Sequence, residues 1–338
     1  MALGALVGVC IFTMLGLPLP WMLGPMLATI LLKIKYPSKI FFPVKWRNPF
    51  LIPLGYNIGS SITLTACYEI VAQITGIVSS TAAILLISLL LAWCTMKQTG
   101  ISKPSAAIGN MPGGLTPMLL ICESIPRADI NVVAVLQSIR LITTIAVVPM
   151  LLMEGFGKTA IDKNIIAAAN IEYVDVPIWM LIIVAISGAL VAYKIKFPSA
   201  FFLGPIIATG IFSVYMGGNL QEVPRWLFAL AQLCTGLYLG TCINPFQLKE
   251  NKKLLPIALI GSLLLIISSL SIGFILSRIY GFSLATVFLA TAPGGVTEMC
   301  ITGMVLGENV SIILAYQLFR MMVLCLVMPI SLKWYFTR

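Results

Sequence analysis

Apolar residues run along this chain in long unbroken stretches, and the polar and charged residues gather between them. Gly76 to Met96 and Pro256 to Leu276 carry no charge at all. At 1.5 Å per helical residue, each is long enough to cross a hydrocarbon core of about 30 Å. Cutting the chain at Pro, Gly and charge clusters predicts helical segments at roughly 2–17, 20–33, 50–66, 70–96, 104–122 and 130–152, and a second set at 176–193, 198–216, 226–243, 254–277, 283–304 and 309–335. The short alternating strands of a membrane β-barrel are missing from the pattern. In lipid the backbone must then satisfy itself within helices. The predicted fold class is an all-α polytopic membrane protein.

The two sets match residue by residue. Gly8, Leu23-Gly24-Pro25 and Ala28-Thr29 recur as Gly188, Leu203-Gly204-Pro205 and Ala208-Thr209, and Pro18 recurs as Pro198, a displacement of 198 − 18 = 180. Gly55 and Gly59 recur 181 residues later as Gly236 and Gly240. MPGGLTPM (Met111 to Met118) returns as APGGVTEM (Ala292 to Met299), and Gln137, Arg140 and Pro149 return as Gln317, Arg320 and Pro329. That period is far longer than the roughly 20 to 50 residues of solenoid or propeller repeats; it fits the internal repeats of secondary transporters. We therefore read a first repeat at 1–153, a linker at 154–175 that holds most of the mixed charge outside the helices, and a second repeat at 176–338.

Charge in the loops suggests how the repeats are related. After its second segment the first half carries Lys33, Lys35, Lys39, Lys45 and Arg47, while the matching loop of the second half has only Arg225, beside Glu222. After the third segment the bias reverses: residues 66 to 69 hold no basic side chain, but the partner loop carries Lys249, Lys252 and Lys253. If basic loops stay in the cytoplasm, corresponding loops face opposite sides, and the repeats are inverted. Each repeat then has five to six helical segments, of which an odd number cross. The two before Lys33 are short enough to count as one, broken around Gly16-Leu17-Pro18.

Composition narrows the function. With 59% hydrophobic and 9% charged residues and a mean hydropathy of +1.04, the chain is far from the roughly 25% charge of soluble domains. The net charge of +10 lies in short loops, so no basic domain is available for nucleic acid. The chain has no histidine, which removes imidazole-held copper, iron or zinc, Ser-His and Cys-His nucleophiles and histidine proton relays. Its eight cysteines form no CxxC pair. Cys10, Cys94, Cys122 and Cys325 lie in apolar runs and read as small buried hydrophobes. No Lys or Arg precedes Lys33, so the apolar start lacks the basic region of a cleavable signal peptide and reads as a membrane segment. Neither an enzyme nor a resident cofactor is expected.

The candidate chemistry sits at the duplicated motif. Pro disfavours a helix interior by about 3 kcal/mol and each Gly by about 1 kcal/mol, so Pro112-Gly113-Gly114 and Pro293-Gly294-Gly295 predict a discontinuous helix in each repeat. A break exposes carbonyls on one side and N–H groups on the other, and so can hold ions or anionic groups at membrane depth. Thr116 and Thr297 follow the glycines, where a hydroxyl caps a helix or joins a cation shell. Glu298, whose counterpart is Pro117, is an ionisable group at membrane depth and a candidate for Na⁺ or H⁺ coupling. Asn110 can add an amide oxygen to that site. Asn57, between Gly55 and Gly59, is a weaker candidate, and Trp21, Trp46, Trp179 and Trp226 read as interfacial anchors. Gln137 and Arg140, like Gln317 and Arg320, share a helical face at i, i+3. They can either hold a carboxylate or neutralise the carbonyl ends at the break.

PWMLGPMLA (Pro20 to Ala28) with MPGGLTPM, and FFLGPIIAT (Phe201 to Thr209) with APGGVTEM, resemble the AbrB-type duplicated membrane-protein family over nearly the whole chain. The resemblance implies a protein of the bacterial inner membrane; some members carry the label of ammonia monooxygenase or regulator. The family is similar in turn to the cation-proton antiporters and anion transporters, including bile-acid sodium symporters, whose inverted halves each contribute a discontinuous helix. By motif position, that likeness implicates 112–116 and 293–298. No Asp-Asp pair occurs inside the predicted segments, which turns the expectation from Na⁺/H⁺ exchange to transport of a small organic anion, a carboxylate, coupled to Na⁺ or H⁺. The alternative from another class is a membrane-embedded regulator or sensor. Oligomeric state is open, a homodimer included.

Overall fold

The computed structural model of the chain describes residues 2–17, 19–36, 40–125, 127–155, 176–195, 197, 199–217, 220–246 and 253–337, and among them every regular element is a helix. The first half supplies α1 (Ala2–Met14), α2 (Pro20–Lys35), α3 (Val44–Ser60), α4 (Leu64–Ala72), α5 (Ile74–Thr99), α6 (Lys103–Asn110), α7 (Leu115–Glu123) and α8 (Ile130–Gly155). The second supplies α9 (Ile178–Lys194), α10 (Ala200–Met216), α11 (Arg225–Cys242), α12 (Leu254–Tyr280), α13 (Leu284–Thr291), α14 (Val296–Leu306), α15 (Val310–Met322) and α16 (Met328–Thr337). A π-helical stretch, Val323–Val327, joins the last two. It precedes Pro329, which lacks an N–H and crowds the carbonyl four residues back, and a π-bulge absorbs such a mismatch. The linker lies outside the described residues from 156 on, as do Pro18, Lys39, Pro198, Lys249 and Lys252.

Among the described residues four helical stretches are long and apolar enough to cross a membrane: Ile74–Thr99, Ile130–Leu152, Leu254–Tyr280 and Val310–Phe336. The pair α3 and α4 makes a fifth if it is counted as one span bent by 85°. Leu86, Leu90 and Trp93 on α5, and Ile260, Leu264 and Ile267 on α12, are exposed. Long helices with apolar side chains turned outward need lipid as their solvent. The protein is a multi-pass membrane protein.

The segment read at 50–66 is not one helix. It begins earlier, at Val44, and ends at Ser60, where the chain turns into α4. Ser60 and Ser61 donate their hydroxyls back to Asn57 O and Ile58 O, both at 2.9 Å, and the Thr63 hydroxyl accepts from Ala66 N at 3.3 Å. Local side-chain bonds of this kind compete with helix continuation and cap the next helix.

The chain folds into two compact units, and each draws on both halves. One comprises Met1–Val71, Met153–Asn244 and Met304–Gly307; the other Ala72–Leu152, Pro245–Gly303 and Glu308–Arg338. In the first unit α1 packs on α2 and α9 on α10, while α3 packs on α10 and α11 on α2. The crosswise pairs rest on glycine. A Cβ at Gly59 would lie 2.7 Å from Ile206 O, and one at Gly240 would lie 2.6 Å from Met26 O. Only a bare backbone permits so close an approach. The helix ends are tied in the same crosswise sense. Lys33 on α2 donates to Thr241 O and Ile243 O at 2.6 and 2.9 Å, and Ser213 on α10 donates to Ser60 O at 3.2 Å. Asn57 accepts from Val223 N at 3.1 Å and so serves this packing. Trp46, Trp179 and Trp226 are exposed near the ends of their helices. The second unit contains both Pro-Gly-Gly motifs, with α5 packed on α12.

Candidate functional site

Both motifs interrupt helices. In the first half α6 stops at Asn110, and Gly114, with φ of +84°, turns the chain into α7. Such a φ disfavours any residue with a Cβ. The closing Met of each motif has a packing reason. It folds back over the first glycine, so that a Cβ on Gly113 would lie 3.0 Å from Met118 Sδ and one on Gly294 the same distance from Met299 Sδ. In the second half α13 stops at Thr291 and α14 starts at Val296. The first break is embedded in an apolar cluster that includes Ile108, Met111, Met118 and Val133, together with Leu324 and Leu332 from the other end of the chain.

The open carbonyls of each break are met by the Gln-Arg pair, about ten residues or 15 Å into the helix that follows. Gln137 Nε2 donates to Ile108 O, Gly109 O and Met111 O at 2.8, 3.2 and 3.0 Å. Arg140 donates through Nη1 to Met111 O and through Nη2 to Gln137 Oε1 at 2.6 Å. In the second half Gln317 Nε2 donates to Leu289 O and Ala292 O at 2.7 and 3.2 Å. Arg320 reaches Thr291 O at 2.9 Å, Ala292 O at 2.8 Å and Gly294 O at 3.2 Å, and also Gln317 Oε1. A cation with amide support is thus laid against the negative end of each half-helix. Both arginines and both glutamines are buried.

Glu298 occupies the first turn of α14, is buried, and folds back over Gly295, where a Cβ would collide with its Oε2. A carboxylate there faces the positive end of the helix. Thr297, beside it, is half-buried. Thr116 takes the second position of α7, and its side chain lies outside the described residues. Asn110 is buried; its Nδ2 donates to Ala106 O at 2.9 Å and to Thr95 Oγ1 at 3.4 Å. In each half, then, the glycine pair, the glutamine and the arginine meet at one break.

Sequence reasoning missed a second set of ties at the outer ends of the half-helices. Ser102 caps α6 by accepting from Ser105 N at 3.4 Å, and Ser105 Oγ accepts from Asp129 N at 2.7 Å. Ser283 caps α13 in the same way, accepting from Thr286 N at 3.0 Å. Glu308 accepts from both hydroxyls, at 2.7 Å from Thr286. Each tie anchors a half-helix to the start of the helix that carries Gln and Arg. The Ser-x-x-Ser/Thr spacing at 102–105 and 283–286, again 181 residues apart, was the available signal.

The family model described as transition state regulatory protein AbrB matches residues 21–336. The chain is similar to the uncharacterized protein YhjN of Bacillus subtilis (strain 168), 23% identical over 344 residues that cover 94% of this chain and 88% of that protein. It is also similar to a protein of Escherichia coli (strain K12) named as a proposed regulator, AbrB, 25% identical over 325 residues that cover 94% of this chain and 90% of the other.

Proposed function

The chain belongs to the AbrB family, and from that premise we propose that it is a secondary transporter of a small organic anion, a carboxylate, coupled to Na⁺ or H⁺ in the bacterial inner membrane. One observation carries the reading: two buried helix breaks, each with its carbonyl end countered by a Gln-Arg pair and one with an acid at its N–H end. Such half-helix ends are the usual means by which transporters hold charged cargo near the midplane. In this reading Glu298 and Thr297 load the cation. Gly113, Gly114, Gly294 and Gly295 leave the half-helix ends open to the anion, with the arginines behind them. Alternating access comes from inverted repeats moving against each other. No enzymatic step and no resident cofactor belong to it, in keeping with a histidine-free sequence.

The test is coupled uptake into proteoliposomes by wild type and Glu298→Gln. The variant keeps the shape and removes the charge, so accumulation driven by a Na⁺ or H⁺ gradient should fall at least about tenfold, the effect of losing roughly 1.4 kcal/mol of cation interaction. Undiminished uptake in the variant removes Glu298 from the mechanism. A second reading, a membrane-embedded regulator, is favoured by the names of the family and of the Escherichia coli relative. It predicts a ligand that stabilises the protein and never accumulates in vesicles.

A further inference from the structure

The two breaks differ in what they leave unsatisfied. Beside the first lies a small cavity of about 10 Å³, the room that one water-sized acceptor needs. Asn110, Leu136 and Arg140 line it from the first half, and Ala258 and Ser262 of α12 close it from the second. Arg140 is buried, and its Nε–H has no acceptor, while its other donors go to Met111 O and Gln137 Oε1. A buried donor on a permanent cation carries a desolvation penalty that an acceptor atom removes. Ser262 donates to Ala258 O in its own helix at 2.7 Å. Its hydroxyl can rotate away from that carbonyl toward a ligand without undoing the helix.

The matching positions in the second half are committed elsewhere. Thr291 stands for Asn110 and donates to Ser269 O at 2.9 Å. Tyr316 stands for Leu136, adding bulk there, and its hydroxyl donates to Gln73 Oε1 at 3.0 Å. Arg320 spends its guanidinium on three carbonyls and Gln317. The acid is on this side too: Glu298 corresponds to Pro117 in the first half.

We propose that the first break is the anion-accepting one: the cavity between Arg140 Nε and Ser262 Oγ takes one oxygen of a small carboxylate, and the acid-bearing second break does not. Asn110 then belongs to the anion's surroundings and not to a cation shell, because a cation beside Arg140 would be repelled. The inference rests on the transporter reading for its purpose, though not for binding itself.

Formate, the smallest carboxylate, is the probe. Purified protein is unfolded by heat in detergent while sodium formate replaces sodium gluconate, too bulky for the cavity, at constant Na⁺ and ionic strength. A ligand that binds the native state raises Tm in a saturating way. Wild type should show that rise. Ser262→Val, which fills the cavity and removes the hydroxyl, should weaken formate by about tenfold or more, the value of one hydrogen bond to a charged group. Thr81→Val, the matching change in the second half, should leave the rise intact. Arg140 variants are avoided because the guanidinium also holds Met111 O; Ala258→Val fills the same space should Ser262→Val fold poorly. No saturating rise in wild type, an unchanged rise in the filled variant, or an equal loss in Thr81→Val overturns the site. A Ser262-dependent rise without coupled uptake sinks the transporter reading alone, whereas uptake without such a rise sinks this site alone.

Discussion

Arg320 donates to three backbone carbonyls and to Gln317, whereas Arg140 donates to one carbonyl and to Gln137. Hydrogen bonds inside membrane bundles are worth about 0.6 kcal/mol on average and up to about 1.7 kcal/mol. Two additional ones make Arg320→Gln more damaging than Arg140→Gln by about 1–3 kcal/mol, read as the difference in unfolding free energy of the two purified variants. Equal losses would mean that the second break does not depend on its arginine in the way described. At this scale the sequence was legible up to a fork. Spacing at i, i+3 put Gln and Arg on one face and burial made them matter, yet the same face can hold a carboxylate or a carbonyl. Which partner it meets depends on where residues some 29 positions upstream end their helix, and spacing within one helix does not report that distance.

Among the elements, the breaks were legible and the turn after α3 was not, for one physical reason. Pro-Gly-Gly opposes a helix by intrinsic preference, so its effect is written locally. Ser60, Ser61 and Thr63 stop α3 and start α4 only through hydroxyls that a continuing helix could also have tolerated. The glycines of α3 and α11 belong to a third kind: visible as a repeat, with their partners hidden. Those partners, the carbonyls of α10 and α2, make a specific demand. Gly59→Val and Gly240→Val should each lower stability by about 1–3 kcal/mol through overpacking, and by similar amounts, since the two contacts are counterparts. Thermal unfolding of the single variants checks this. A tolerated valine at either site would mean that the helices stand further apart.

For the whole molecule, the duplication was legible because identical residues recur at a constant displacement, and the composition fixed a lipid environment. The division into two compact units was not legible, because it cuts each repeat in two and joins like parts of both. The inverted relation proposed for the repeats rests on loop charge, and it makes a sharp prediction about sidedness. Lys45 and Arg225 are matching positions, 225 − 45 = 180 residues apart. In a cysteine-free background, a single cysteine at 45 should react with a membrane-impermeant maleimide only from the cytoplasmic side, and one at 225 only from the opposite side. Labelling of both from one side would make the repeats parallel. The crosswise packing of α3 on α10 and α11 on α2 also sets an order of events during biosynthesis. When the ribosome has delivered the first half to the membrane, the glycine face of α3 still faces lipid, and the groove of α2 that will receive α11 is vacant. The early product is therefore an unfinished object rather than a small version of the final one. It must persist in the bilayer, or under the care of the insertion machinery, until more than 150 further residues have been made.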